Sequence, residues 1–486
     1  MHPLIAVEIV LLLAGLTCVA IAIPMDSRPI AGFGLLLMGV GGGCQLYLAL
    51  VQRDRYWSLC DIQGGSLLLS YFGGGATTLM LSQSGLIGGV RITNLVTLLE
   101  VSIFILLVGV LLFGFGRIEA RLWRRIWPSD ETERWPNFVA FGLLGLGALQ
   151  AAMIATGRIS MQGVTDIVDQ ELPIFVSFVV ALSWPLAGMC GWILGQEALR
   201  RRPLFFYTAV SLIPIQILFN FAHGRRVILF QIIIFFTCLV WSRRRGFTLK
   251  QGLVMGSIAI PLAYFLWLFF IALRMEGYTQ AGPPGSDKRT LFTRMDSAVE
   301  MMDDRWGAVA ESQEKEVIDR VYVIGYMIDL MDRDRVTNRF NGKAMAYMVV
   351  NSIPRMILPT KKKVLASLKA SEEDISVRFN LGEDDRADSL ITAAYIDFRW
   401  LGPLVYASFA FLFSCILIGL CLLLRFQFFS LYVLCYVFFF ALGTEQSFVT
   451  GCLNMLRIIV VVAVLLLGYR FLDDLAGSDR RQHARI

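Results

Sequence analysis

The sequence predicts an all-α, polytopic membrane protein with about 12 transmembrane helices and one large external loop of helices and irregular segments. Of the 486 residues, 56% are hydrophobic and only 17% are charged, and the mean hydropathy is +0.64. A soluble protein cannot bury so much apolar surface. Membrane spans are predicted to be helical because lipid offers no partner for an unpaired backbone amide.

Apolar stretches of roughly 20 residues mark the predicted spans. In chain order they are 4–23, 30–51, 66–81, 95–115, 138–156, 174–194, 204–221, 227–241, 253–273, 403–424, 428–442 and 456–471. The third stretch is rich in Gly and Ser, so a re-entrant segment is an alternative for it. The runs GVGGG and FGGGA lie inside predicted spans and are typical of closely packed helices.

Arginine and lysine are concentrated in alternate loops, and this bias predicts the orientation. Every loop after an even-numbered span carries them, as in the run from Arg200 to Arg202, whereas the opposite short loops carry only Arg28, Arg91, Arg158, Arg225 and Arg226. Both termini are therefore predicted to be cytoplasmic. The net charge of +6 follows from this topology and does not indicate nucleic-acid binding.

The predicted topology divides the chain into four regions. These are a membrane domain with spans one to nine (1–273), an external loop region (274–402), spans ten to twelve (403–471) and a cytoplasmic tail (472–486). Within the loop region, Ile318, Val321, Ile324 and Ile328 recur at helical spacing. That apolar stripe predicts a helix that packs on the membrane domain or lies in the membrane interface.

We expect cysteines introduced at Ser286 and Ser478 to react differently with a membrane-impermeant reagent added to intact spheroplasts. Ser286 lies in the predicted external loop and should be labelled, whereas Ser478 lies in the predicted cytoplasmic tail and should be protected. Labelling at Ser478 but not at Ser286 would invert the topology.

Two arginines on the predicted external side mark the first candidate site. Arg225 and Arg226 follow His223 between two apolar runs. Guanidinium groups bind phosphate through bidentate, charge-assisted hydrogen bonds, so a lipid pyrophosphate is one candidate ligand. Lipid headgroup phosphates are the alternative. His223 is either a structural residue, a proton acceptor for a sugar hydroxyl or a hydrogen-bond donor to phosphate.

A second group of charged residues precedes or enters the last spans on the same predicted side. Its members are Arg355, Lys361, Asp388, Asp397, Arg399 and Arg457. Arg457 is a charge at membrane depth, which is typical of a functional or paired residue, and Glu445 and Glu100 are its candidate partners. A basic run in a long loop is otherwise typical of a solvated surface. No Cys/His spacing predicts a metal site, and no phosphate-binding or dinucleotide motif is present.

These features together resemble the Wzy-type O-antigen and oligosaccharide repeat-unit polymerases. The shared features are about 12 spans, one large external loop late in the chain, an Arg-bearing motif between central spans, and a P-R-x-x-x-P-x-K segment. The matching residues are Pro354, Arg355, Pro359 and Lys361, followed by Tyr395, Asp397, Phe398 and Gly402. One departure is Arg399, since the family often has glycine directly after the Asp-Phe pair.

The resemblance implies a glycosyltransferase at the outer face of a bacterial inner membrane. Its donor would be an oligosaccharide linked to undecaprenyl pyrophosphate, and a sugar hydroxyl of a second lipid-linked unit would attack the anomeric carbon. Arg225, Arg226, Arg355, Lys361, Arg399 and Arg457 would bind pyrophosphate or glycan, and His223, Asp388 or Asp397 would accept the proton. No cofactor is implied; membrane lipids and a chain-length regulator are further candidate partners. A ligase using the same donor and a flippase or other transporter remain alternatives.

Overall fold

The structure is a computed structural model, and the fold is described for part of the chain. The described residues are 3–52, 56–83, 94–126, 135–156, 174–223, 225–243, 254, 257, 261, 299, 323–334, 340–353, 357–379, 389–443 and 448–483. Over these residues the regular elements are helices, and no strand occurs among them. Most of the predicted ninth span (253–273) and most of the external loop before residue 323 lie outside this part.

The helices are numbered here in chain order. They are α1 (Pro3–Met25), α2 (Arg28–Val51), α3 (Leu59–Leu68), a π-helical turn (Leu69–Gly73), α4 (Gly74–Gln83), α5 (Leu95–Trp123), α6 (Asn137–Ala155), α7 (Ile174–Ser183), α8 (Leu186–Gly195), α9 (Glu197–Arg200), α10 (Pro203–His223), α11 (Arg225–Trp241), α12 (Val323–Asp332), α13 (Lys343–Ser352), α14 (Lys361–Leu368), α15 (Glu372–Phe379), α16 (Leu390–Phe398), a 3₁₀ turn (Arg399–Leu401), α17 (Gly402–Leu424), α18 (Gln427–Leu442) and α19 (Phe448–His483).

Seven helical stretches in the described part are long and apolar enough to cross a membrane, and three shorter apolar helices accompany them. They are consistent with a membrane-embedded protein, as the composition predicts. The total of twelve spans and the side on which the loop region lies stay predictions.

Several predicted spans differ from the helices at their boundaries. The twelfth, predicted as 456–471, lies inside α19, which runs from Phe448 to His483, and the sixth, predicted as 174–194, consists of α7 and α8. The third begins at Leu59, not at residue 66, and α3, the π-helical turn and α4 follow one another without a break to Gln83. At 1.5 Å per residue these 25 residues span about 37 Å, more than the roughly 30 Å of a hydrocarbon core. The fourth continues past residue 115 to Trp123. Its last turns carry charged residues. These residues set the end of the predicted apolar span, but the helix itself continues through them.

The chain divides into two compact units. The first contains Met1–Trp127, Ile318–Phe429 and Phe440–Ile486, and the second contains Pro128–Val317 and Ser430–Phe439.

Glycines allow close helix packing in the first unit. A Cβ on Gly15 of α1 would lie 2.5 Å from the carbonyl oxygen of Gly34 in α2. A Cβ on Gly42 of α2 would lie 2.5 Å from the Leu68 Cβ in α3 and 3.0 Å from the Gly65 carbonyl oxygen. Side chains at these positions would force the backbones apart. The packing predicted for the GVGGG run is therefore confirmed.

In the second unit, two pairs of neighbouring helices run parallel. A Cβ on Gly147 of α6 would meet Leu212 of α10, and three residues later Gln150 hydrogen-bonds Gln216. Residue numbers rise together on the two helices, so α6 and α10 point the same way. Helices α8 and α11 are also parallel, because Gly188 approaches Ile234 and Gly191 approaches the Phe235 carbonyl. Alternating spans predict this parallel arrangement.

Helix α12 contacts the membrane helices of the first unit. Asp332 at its end accepts a hydrogen bond from Thr97 at the start of α5. On α12, Ile324 is buried next to Gly75 of α4, and Ile328 is also buried. This part of the predicted apolar stripe therefore packs on the membrane helices, one of the two arrangements that its spacing predicted, whereas Ile318 and Val321 lie outside the described residues.

Candidate functional site

Helix α13 is held at its N-terminal end by the buried carboxylate of Asp397. The backbone N–H groups of Ala344 and Met345 donate to its two oxygens at 2.9 and 2.7 Å, and the Tyr406 hydroxyl donates at 3.2 Å. The residue before α13 is Gly342, at φ 85°, which has no side chain to cap the helix. Asp397 supplies the missing acceptor from α16. With both oxygens engaged, Asp397 joins α16 to α13.

Lys361 lies at the opposite end of the same helix. Its ammonium donates to the carbonyl of Asn351 and, at 3.0 Å, to the carbonyl of Ile353. The last carbonyls of a helix carry partial negative charge and lack intrahelical partners, so a cation there stabilises the helix end.

Arg457 of α19 binds the carbonyl of Ser352, which lies between the two carbonyls bound by Lys361. Its Nη1 donates to the Ser352 carbonyl at 3.0 Å and to the side chain of Asn454 at 3.2 Å. Glu100 of α5, a candidate partner from the sequence, is exposed to solvent or lipid, and Glu445 lies outside the described residues. Three predicted site residues thus bind the two ends of α13, with the charge signs that complement its dipole.

Arg399 forms the centre of a partly buried cluster with Asp334, Tyr395 and Phe379. Its guanidinium makes an ion pair with Asp334, and the Tyr395 hydroxyl donates to the same carboxylate at 2.9 Å. The guanidinium carbon lies 4.8 Å from the centre of the Tyr395 ring and 5.7 Å from that of Phe379. The Arg399 side chain is only 15% exposed.

The guanidinium of Arg399 keeps hydrogen-bonding capacity. Its Nη2 is paired with the Asp334 carboxylate, and its Nη1 donates to no acceptor among the described residues. A buried donor without an acceptor is costly, so the group favours an additional anionic or polar partner.

The backbone at Arg399 adopts a conformation that favours glycine. Its φ is 51° and its ψ is −134°, in a region that costs other residues roughly 1–3 kcal/mol. The turn brings Gly402, the first residue of α17, against α16, where a Cβ would lie 2.0 Å from the Ala394 carbonyl oxygen. Arg399 is therefore strained at this turn, which suits glycine.

Carboxylates on and after α12 surround the start of α5 and the Arg399 cluster. Asp332 binds Thr97, and Asp334 belongs to the cluster. Burial raises the pKa of Asp329, whereas Arg333 acts in the opposite direction. This concentration of negative charge requires a counter-ion, which Arg399 provides for Asp334.

The other predicted residues lie elsewhere. His223 is the last residue of α10, and Arg225 and Arg226 begin α11, in the second unit. Arg355 and Asp388 lie outside the described residues. The structure therefore brings together Lys361, Asp397 and Arg457 around α13, with Arg399 directly after α16.

Sequence reasoning missed a buried hub centred on Glu119. Its carboxylate accepts hydrogen bonds from the N–H groups of Leu59 and Cys60 at 2.7 and 3.0 Å, from Trp123 Nε1 at 2.7 Å and from the Ser414 hydroxyl. These contacts join α3, α5 and α17, and they cap the N-terminal end of α3. A carboxylate near the end of an apolar run was the only signal for it.

Asp61 lies one turn into α3, next to this hub. It accepts hydrogen bonds from Gln45 of α2 at 2.7 Å and from Ser58 at 2.9 Å, and it is fully buried. A Cβ on Gly116 of α5 would meet its carboxylate at 2.5 Å. Helix α5 thus leaves room for this side chain. Among the described residues, no group of three His, Cys, Asp or Glu side chains is arranged to hold a metal ion.

Comparison of the chain with protein-family models, with curated proteins and with solved structures finds no match.

Proposed function

We propose that the protein is a glycosyltransferase that polymerises lipid-pyrophosphate-linked oligosaccharide repeat units at the outer face of the bacterial inner membrane. The observation that carries this proposal is the guanidinium of Arg399. It is partly buried, is paired with the Asp334 carboxylate, and has an Nη1 without an acceptor among the described residues. Such a group is suited to an oxyanion that arrives with the substrate.

The proposed reaction breaks the bond between the anomeric carbon of the donor and a pyrophosphate oxygen. The hydroxyl oxygen of a second lipid-linked unit forms the new bond to that carbon. The bond electrons leave with the pyrophosphate, whose growing charge needs stabilisation. Arginines held in fixed positions provide it without reorganisation at the moment of reaction.

The hydroxyl proton needs an acceptor, which we assign to His223 or Asp388. Asp397 was the third candidate, but its oxygens are engaged by Ala344, Met345 and Tyr406. In this proposal Asp397, with Lys361 and Arg457, acts by holding α13. Arg399 is the proposed pyrophosphate ligand in the first unit, and the same role that the sequence predicts for Arg225, Arg226 and Arg355 stays a prediction.

The test is to incubate the purified protein with a lipid-pyrophosphate oligosaccharide and to follow the length of the lipid-linked products. Longer lipid-linked chains would support polymerisation. Transfer only to an acceptor that is not itself polymerised would assign a ligase. Movement of the intact substrate across a vesicle membrane without turnover would assign a transporter and refute the proposal.

We expect Arg225→Ala and Arg226→Ala each to slow chain extension at least about tenfold, equivalent to about 1.4 kcal/mol of barrier. Arg225→Lys should recover little, because one ammonium cannot reproduce a bidentate contact. Initial rates of extension at saturating donor measure the effect. If the double alanine variant expresses normally and extends chains at the parental rate, the pair binds lipid headgroups instead.

A further inference from the structure

The position of Arg457 along the membrane normal locates the C-terminal end of α13 relative to the membrane surface. This arginine lies inside α19, and the next charge along that helix is Arg470. Thirteen residues of helix rise only about 20 Å, less than the roughly 30 Å of a hydrocarbon core. Arg457 therefore lies at or inside a hydrocarbon boundary, and its side chain extends toward the headgroups.

The hydrogen bond of Arg457 holds the end of α13 and the start of α14 at the same membrane boundary. Its guanidinium binds the Ser352 carbonyl at 3.0 Å, and Lys361 binds the carbonyls on either side of Ser352. The end of α13 and the start of α14 are thus joined to one point on a membrane helix. The residues that directly follow Lys361 must lie close to the headgroup layer.

Helix α14 leaves a basic surface uncovered at this level. It packs against α13, and its exposed residues include Lys362, Lys363 and Lys369. Ile357, just before the helix, is 71% exposed. An exposed isoleucine alone is ordinary. Ile357 precedes Lys362 by only five residues, so that an exposed apolar side chain and exposed lysines occur together in a segment joined to Arg457. This is the composition of a surface that inserts an apolar side chain between lipids and binds their phosphates.

We propose that Ile357, Lys362, Lys363 and Lys369, here called the α14 surface, rest on the bilayer and bind the phosphates of anionic lipid headgroups. The lysines are complementary in charge to the lipid phosphates, and the contact with Arg457 holds the segment close to the headgroup layer. The proposal does not depend on the enzymatic activity. It assigns a lipid-binding role to a basic run whose sequence alone is typical of a solvated surface.

The test measures the depth of a spin label in the full-length protein. Ile357→Cys is compared with Val377→Cys, a similarly exposed position (77%) in the charged helix α15. The three cysteines that are not buried, Cys18, Cys44 and Cys415, are first replaced by alanine. In nanodiscs containing phosphatidylglycerol, the ratio of oxygen to nickel-chelate accessibility should be several-fold higher at residue 357 than at residue 377.

Charge reversal isolates the contribution of the lysines. Lys362→Glu/Lys363→Glu should lower the accessibility ratio at residue 357 in phosphatidylglycerol discs toward the value at residue 377. Equal ratios at the two positions in the parental lysine background, or a label inaccessible to both reagents, would overturn the proposal. So would a ratio insensitive to charge reversal, or one that responds to an added acidic polysaccharide but not to lipid charge.

Discussion

Replacing Arg399 with glycine is expected to remove most chain extension while the protein remains folded. Losing a phosphate contact that strengthens in the transition state costs on the order of 2–4 kcal/mol, or roughly 30- to 1000-fold in rate. The backbone at this position, with φ 51°, suits glycine, so relief of strain offsets part of the lost ion pair with Asp334. Donor binding should fall less than turnover, because the contact acts mainly on the developing charge.

The measurements are the extension rate and the midpoint of thermal unfolding in the same detergent. Arg378→Ala is the matched control, because Arg378 also lies over an aromatic ring, that of Phe340 at 4.4 Å, but is exposed. That variant should keep nearly parental activity. Arg399→Lys should recover little, since it lacks the planar fork and keeps the strained backbone. A folded Arg399→Gly protein with the parental rate would make Arg399 a structural residue only.

Glu119→Ala is expected to cause the largest loss of stability in the first unit. The substitution leaves the N–H groups of Leu59 and Cys60 and the Ser414 hydroxyl without their acceptor, whereas the Trp123 indole keeps its contact with Ser414 at 3.2 Å. Each buried donor left unpaired costs about 1–3 kcal/mol, so the total should reach roughly 3 kcal/mol or more. The stability of Glu119→Gln should lie between those of the parental protein and Glu119→Ala. Its amide oxygen can still accept hydrogen bonds, but its NH₂ group is a donor and faces another donor.

Thermal unfolding followed by tryptophan fluorescence measures this effect. Glu100→Ala is the control in the same helix, since Glu100 is exposed and should change stability by no more than about 0.5 kcal/mol. If the Glu119 and Glu100 variants unfold at the same temperature, the carboxylate does not hold α3, α5 and α17 together.

The membrane helices could be predicted because lipid restricts both composition and secondary structure. Apolar windows located α1, α2 and α6 to within a few residues, and the alternation of the predicted spans agrees with the parallel course of α6 and α10. Boundaries were less accurate wherever a helix continues beyond the hydrocarbon, as α5 does, because charged residues there end the apolar pattern but not the backbone hydrogen bonding.

The roles of the charged residues were harder to predict. Asp397 and Lys361 have no local motif that distinguishes a ligand of substrate from a ligand of backbone groups, and their partners on α13 are close only in the fold. Glu119 was missed for a similar reason, since its partners come from α3 and α17. The turn at Arg399 was not predicted from the sequence. It accompanies the close approach of Gly402 to Ala394, which exists only in the fold.

The Glu119 hub also has a consequence for synthesis of the chain. Glu119 and Ser414 are 295 residues apart in the sequence. At about 5–20 residues per second, the ribosome needs roughly 15–60 s to reach the second partner after the first. Helix α5 is therefore inserted long before α17 exists, and during this interval the carboxylate has only the partners supplied by α3 and by its own helix. The first unit is completed late, and a stalled or truncated chain would leave this hub open to degradation by membrane proteases.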